Sequence, residues 1–181
     1  MNKKSTISIA FALLCSMILV SCSLMLSSEE RKLVGKWHEK IQETEGSVIV
    51  HIEDWDEYTE DKKVSSYGKV TFQCNIGEDG YNFIVYASAD FTSSGIWDIV
   101  DGDKLISKDN QVNFSSVTIT SSEDLDANAV QDLKKEIEQS LQSDLRDEML
   151  KKDTTEIVLL NDSEFKYKGT DGTVYTMTKV N

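Results

Sequence analysis

The chain has 181 residues, a formal net charge of −13 and no proline. So acidic a chain lacks the basic footprint that a polyanion requires, which excludes nucleic acid as a partner. The same charge argues against the folded part lying flat on anionic lipid.

The first segment is a leader. Lys3 and Lys4 precede an apolar run, residues 7–20, that is too short to span a bilayer and has the layout of a cleaved export signal. Leu19-Val20-Ser21-Cys22 resembles the lipobox of bacterial lipoproteins. Ser21 supplies the small residue needed before the cysteine, whereas Cys15 follows Leu14. The resemblance implies removal of residues 1–21, acylation of Cys22 with palmitate-type chains, and membrane lipid as a partner. It places the chain in the cell envelope, and Ser23 suits the outer membrane if the source is Gram-negative. Loss of two lysines takes the net charge to −15 over 160 mature residues, enough for one domain with a real core. With Cys22 acylated only Cys74 remains, so no intramolecular disulfide forms. Two acyl chains anchor stably, at ~0.8 kcal/mol per buried CH₂. The division is therefore a signal peptide (1–21), a lipidated tether (22–28) and one domain (29–181). Leu24, Met25 and Leu26 are expected to dip into the bilayer interface.

A helical turn at residues 29–33 leads into strands at 34–42 and 47–52. Residues 69–76 alternate, with Val70, Phe72, Cys74 and Ile76 on one face. After a Gly-Glu-Asp-Gly turn, residues 81–91 alternate as well, which predicts a hairpin. Strands 96–100 and 104–107 flank Asp101-Gly102-Asp103, a turn signal. Further strands are predicted at 111–120, 156–160, 164–168 and 173–180.

One long helix interrupts them, from 121 to about 153. Ser121 and Asp124 fit a capping box, and Lys151 and Lys152 suit the C-terminal end. Apolar residues recur every four positions from Leu125 to Met149. Each such step overshoots a turn by about 40°, so the stripe drifts. The sector from Ala129 to Leu141 is expected to pack on the sheet, with a bend or break near Ser143 and with Leu145 and Met149 rotated away.

About nine short strands and one helix predict a mainly β, antiparallel barrel or sandwich with a helical lid. Leu33-Val34-Gly35-Lys36-Trp37 carries a further resemblance. A Gly-x-Trp opening the first strand after a helical turn resembles the lipocalin motif, and the segments 95–105 and 171–177 look like those of small bacterial lipocalin-like (calycin-type) lipoproteins. The resemblance implies an up-and-down barrel; the strands number about 8–9, and the helix is inserted before the last of them, whereas in that family the main helix follows the barrel. Gly35 and Trp37 would plug one end. In that family an arginine near the last strand covers the Trp; here Lys179 stands in that region and is a poor substitute.

Candidate chemistry is sparse. Glu53, Asp54, Asp56, Glu57, Glu60 and Asp61 lack the spacing of a calcium loop and read as a solvated loop, so no metal is expected. His38 and His51 lack metal-ligand spacing. Cys74 lies on an apolar face, where a free cysteine behaves as a small hydrophobe. Ser66-Tyr67-Gly68-Lys69 has Ser-x-x-Lys spacing without its partner motifs. No catalytic residue, cofactor or enzyme activity is expected. The expectation is non-catalytic binding of a small apolar ligand near Phe72, Cys74, Phe83 and Trp97. The alternative is a filled barrel acting as an interaction or assembly module of the envelope, its protein partner unknown.

Overall fold

A computed structural model describes residues 26–78, 81–122, 127–169 and 172–180. The leader, Cys22, Leu24, Met25 and the acidic start of the predicted helix lie outside the described residues. In chain order the elements are α1 (Ser28–Leu33), β1 (Gly35–Glu45), β2 (Val48–Tyr58), β3 (Lys63–Glu78), β4 (Tyr81–Val100) and β5 (Lys104–Ser121). A helical stretch follows: α2 (Ala127–Ser140), a π turn (Leu141–Leu145) and α3 (Arg146–Met149). Then come β6 (Lys152–Leu160), β7 (Glu164–Lys168) and β8 (Val174–Val180). Each strand pairs antiparallel with the next, and β8 returns to β1 at Lys36–His38, so one sheet of eight strands closes into a ring.

The predicted short strands merge into longer ones. Residues 81–91 and 96–100 are both parts of β4, and 104–107 and 111–120 are both parts of β5. Register shifts at Ser88/Asp90 and Ser94/Gly95 accommodate the bend of so long a hairpin. Gly95 is required there, since a Cβ would collide with the Lys108 carbonyl oxygen. β2 runs past residue 52 to Tyr58, so Glu53, Asp54, Asp56 and Glu57 lie on a strand and not in a solvated loop, while Glu60 and Asp61 lie in the exposed turn after it.

One end of the ring is filled. Leu33, Trp37, Trp97, Phe165 and Met177 pack there and are almost fully buried. The Trp37 indole donates to the Leu33 carbonyl at 2.6 Å and meets Phe165 edge-on at 6.0 Å. Lys179 lies over the Trp37 ring at 5.0 Å and donates to the Lys32 carbonyl at 2.8 Å. Gly35, at φ +129°, leaves room for that lysine: a Cβ would stand 2.7 Å from its Cε. Helix α1 starts with a capping box between Ser27 and Glu30. Glu30 also holds the Lys62 ammonium at 2.7 Å. Burial would raise the Glu30 pKa, but Lys62 and the Ser27 N–H and hydroxyl outweigh it and hold the carboxyl at about 2. Leu26 is buried in this same cluster, which corrects the expectation that it dips into the bilayer.

The other end is built differently. β6 pairs with β5 only over Lys104–Lys108, and β8 with β1 only over Lys36–His38. The far halves of β1 to β5 therefore rise above the short strands, and the helical stretch covers them. Leu141 is buried against Val70 and Ala89, with Ile137 and Leu145 beside it. Two expectations are corrected. Ala129 is exposed, and Leu145 and Met149 face inward rather than rotating away. Ala129 lies three four-residue steps before Leu141, a drift of about 120° that carries it off the sheet, and the irregularity expected near Ser143 explains the second. In a π turn more residues make up each turn, so a four-residue step falls short and cancels the drift of the preceding α-helix. The apolar stripe thereby stays on the sheet.

Candidate acidic cavity and apolar pocket

Strand alternation decides what faces the ring's interior. On β1 and β2 it turns Glu39, Asp54, Asp56 and Tyr58 inward and leaves Lys40, Glu53 and Glu57 outside. Glu39 stands directly opposite Asp54 in the ladder. β5 adds Asp109, β6 adds Asp153, and β7 adds Tyr167. These groups border a cavity of about 370 Å³ between the filled end and the helix. Phe91, Phe114, Leu145 and Met149 supply apolar wall, and no lysine, arginine or histidine borders the cavity among the described residues.

Like charges directly opposite one another destabilise a strand pair, and burying carboxylates without cations costs more. The local hydrogen bonds answer part of this. Tyr167 donates to Glu39 Oε2 at 2.6 Å, and Tyr58 donates to Asp56 Oδ2 at 3.2 Å. Asp153 accepts from the Thr154 N–H and the Thr155 hydroxyl. Three buried oxygens have no partner among the described residues: Glu39 Oε1, Asp54 Oδ1 and Ser93 Oγ. All three side chains border the cavity. Burial pushes the Glu39 carboxyl up to about 7 against its Tyr167 bond. Burial, with Asp56 and Glu39 nearby, pushes Asp54 up to about 8. Asp56 and Asp109 are raised too, chiefly by burial.

A second cavity, of about 280 Å³, lies under the helix between β3 and β4. Phe72, Cys74, Val85, Ala87, Leu133 and Leu141 border it, a nearly pure apolar lining. Leu141 borders this pocket while its neighbour Leu145 borders the acidic cavity, so the π turn stands between the two.

Of the residues proposed from sequence, Phe72 and Cys74 come together in the apolar pocket. Trp97 does not join them. It is buried at the filled end, edge-on to Tyr58 at 5.8 Å, with its indole donating to the Lys63 carbonyl at 3.1 Å. The backbone of Phe83 belongs to β4, and its side chain lies outside the described residues. Gly35 and Trp37 sit at the filled end. His38 and His51 are not brought together: His38 faces outward, bonded to Glu53 at 3.0 Å and stacked on Trp55, and His51 is exposed.

Sequence reasoning missed the acidic cavity. The usable signal was Asp54-x-Asp56-x-Tyr58, a period-two pattern that reads as strand once the charges are allowed to face inward. No protein-family model matches the chain, and no curated protein matches it in sequence.

Proposed function

We propose that this chain is a lipid-anchored lipoprotein of the cell envelope whose lipocalin-like barrel binds a small molecule without catalysis. The carrying observation is that the sheet and helix leave partly open cavities of about 370 Å³ and 280 Å³, the first within the range of small-ligand sites. The apolar pocket at Phe72 and Cys74 suits the apolar part of a ligand. The lipocalin likeness is supported by the Trp-plugged end and by Lys179, which covers Trp37 despite not being an arginine. A filled barrel acting as an assembly module is less favoured, because the helix turns its apolar stripe inward.

The anchor would orient the molecule. Three residues separate Cys22 from buried Leu26, so the filled end stays within about 14 Å of the acylated cysteine. The helix-covered end then faces away from the membrane. Cys22→Ser is expected to move the protein from the membrane fraction to the soluble one and to abolish labelling by radioactive palmitate. Label retained in the variant would contradict the anchor.

Cys74 reports on the pocket. It is a half-buried free thiol bordering the apolar cavity. A small maleimide is expected to label it in the folded protein, and an occupying ligand to protect it. Labelling only after unfolding would mean that the pocket is closed to small molecules.

A further inference from the structure

We propose that the acidic cavity binds a small organic cation, an ammonium group carried on an apolar body. This rests on the small-molecule-binding reading above and assigns the ligand its chemical class. Glu39 is only 4% exposed, yet its Oε1 meets no donor. Asp54, opposite it in the ladder, has an oxygen in the same condition. Ser93, 6% exposed, places a hydroxyl-bearing side chain on the border of the same space. The two carboxyl oxygens are acceptors with nothing to accept from, and a positively charged donor supplies both the missing hydrogen bonds and the missing charge.

The charge balance points the same way from every side. β1 contributes Glu39, β2 contributes Asp54, Asp56 and Tyr58, β5 contributes Asp109, β6 contributes Asp153 and β7 contributes Tyr167. Among the described residues the helix contributes Leu145 and Met149, and β3 and β4 contribute hydroxyls and apolar groups, among them Ser66, Ser93 and Phe91. The carboxylates thus lie around the wall with no cation among the described residues. Among the described residues no three His, Cys, Asp or Glu side chains converge as a metal ion would need. Dispersed carboxylates between aromatic and aliphatic walls suit an amine larger than an ion, with Phe91, Phe114, Tyr58 and Tyr167 offering ring faces and edges to its body. Without such a ligand the carboxyls hold protons instead, as their raised pKa values indicate. Amine binding therefore competes with protonation and strengthens as pH rises through the neutral range.

The test is calorimetric titration of the mature, detergent-extracted protein at pH 8.0 and 5.5. The probes are phenethylamine and hexane-1,6-diamine, with the uncharged 2-phenylethanol and hexane-1,6-diol as controls and CaCl₂ as the metal arm. The expected result is amine binding at pH 8.0 that weakens at least tenfold at pH 5.5, with at least tenfold weaker binding of the diol and alcohol. Glu39→Gln and Asp54→Asn should each weaken the amine tenfold or more while folding at least as stably as the native protein at pH 8.0. That pairing separates lost recognition from lost structure. Equal binding of charged and uncharged probes would overturn the cation assignment and leave small-molecule binding standing. Preference for Ca²⁺ over both amines would also overturn it. Binding of neither probe class would remove both readings.

Discussion

Trp37→Ala is expected to unfold the domain or nearly so. The indole is fully buried at the filled end, bonded to the Leu33 carbonyl, edge-on to Phe165 and covered by Lys179. Removing so large a buried aromatic costs about 3–5 kcal/mol, against a total stability of about 5–15 kcal/mol for a domain. The loss is shared by several elements, because Trp37 holds α1, β1, β7 and β8 together where the ring closes. Among the described residues three ladder pairs join β8 to β1, so Trp37 lies within a short seam. In urea, with a slope of about 2 kcal/mol per molar, the midpoint should fall by about 2 M. Trp37→Phe keeps most of the packing but leaves the Leu33 carbonyl without its donor, and should lose about 1–3 kcal/mol. A midpoint unchanged in the alanine variant would contradict the burial.

The second large effect is on pH. The ligand-free protein is expected to be most stable near pH 4.5 and to lose stability steadily from there up to about pH 8. Glu39 titrates at about 7 and Asp54 at about 8 when folded, but near 4.5 and 3.8 when exposed. Between these limits the folded state holds protons that the unfolded state has released, so stability falls as pH rises, and the loss is complete above the folded values. At about 1.4 kcal/mol per pH unit, Glu39 alone accounts for a loss on the order of 3 kcal/mol. Glu30 works in the opposite sense. Its carboxyl is held at about 2, so its contribution is present above pH 4.5 and disappears as pH falls toward 2. Urea titrations at pH 5.5, 7.0 and 8.5 measure the profile. Glu39→Gln combined with Asp54→Asn should flatten it and be more stable than the native chain at pH 8.5. General repulsion in a chain of net charge −13 also weakens the fold at high pH, but the double variant would then keep most of the slope. A native profile that is flat from pH 5.5 to 8.5 would contradict the buried carboxyl cluster.

Some of this molecule was readable from the residues, and the rest was hidden for one physical reason. Where the interior is apolar, the period-two pattern is clean. Val70, Phe72 and Cys74 face Val85, Ala87 and Ala89 across the predicted hairpin, and that hairpin is present. Where the interior is polar, the pattern fails. Asp54, Asp56, Ser66, Ser93, Ser107 and Asp109 turn inward, so the strands carrying them read as loops. For that reason β2 was cut at residue 52, the first half of β3 was missed, and β4 and β5 were each divided. The residues that obscured the strands are the ones that line the acidic cavity. A preference for apolar interiors concealed both the full length of these strands and the candidate site.

The helix shows the converse. Its four-residue stripe carried the information that an uninterrupted α-helix would not serve, and the π turn lies at Leu141–Leu145, around the expected break. The spacing did not say which correction would be used. A kink would have turned Leu145 and Met149 away, whereas the π turn returns them to the cavity. Trp97 was misassigned because Gly95-Ile96-Trp97 gave no indication of height along the strand. β4 is 20 residues long, and Trp97 lies near its far end, at the filled pole rather than beside Phe72.

The most direct measurement of the central claim, that the ring is a container for a small molecule, is native mass spectrometry of the mature lipoprotein released gently from membranes of its own host. The account predicts a complex one small molecule heavier than the acylated chain. Collisional activation should release that molecule as a cation, and Glu39→Gln with Asp54→Asn should lose it. A native protein showing only the mass of the acylated chain across pH 6 to 8.5, with none of the small-molecule probes retained, would contradict it.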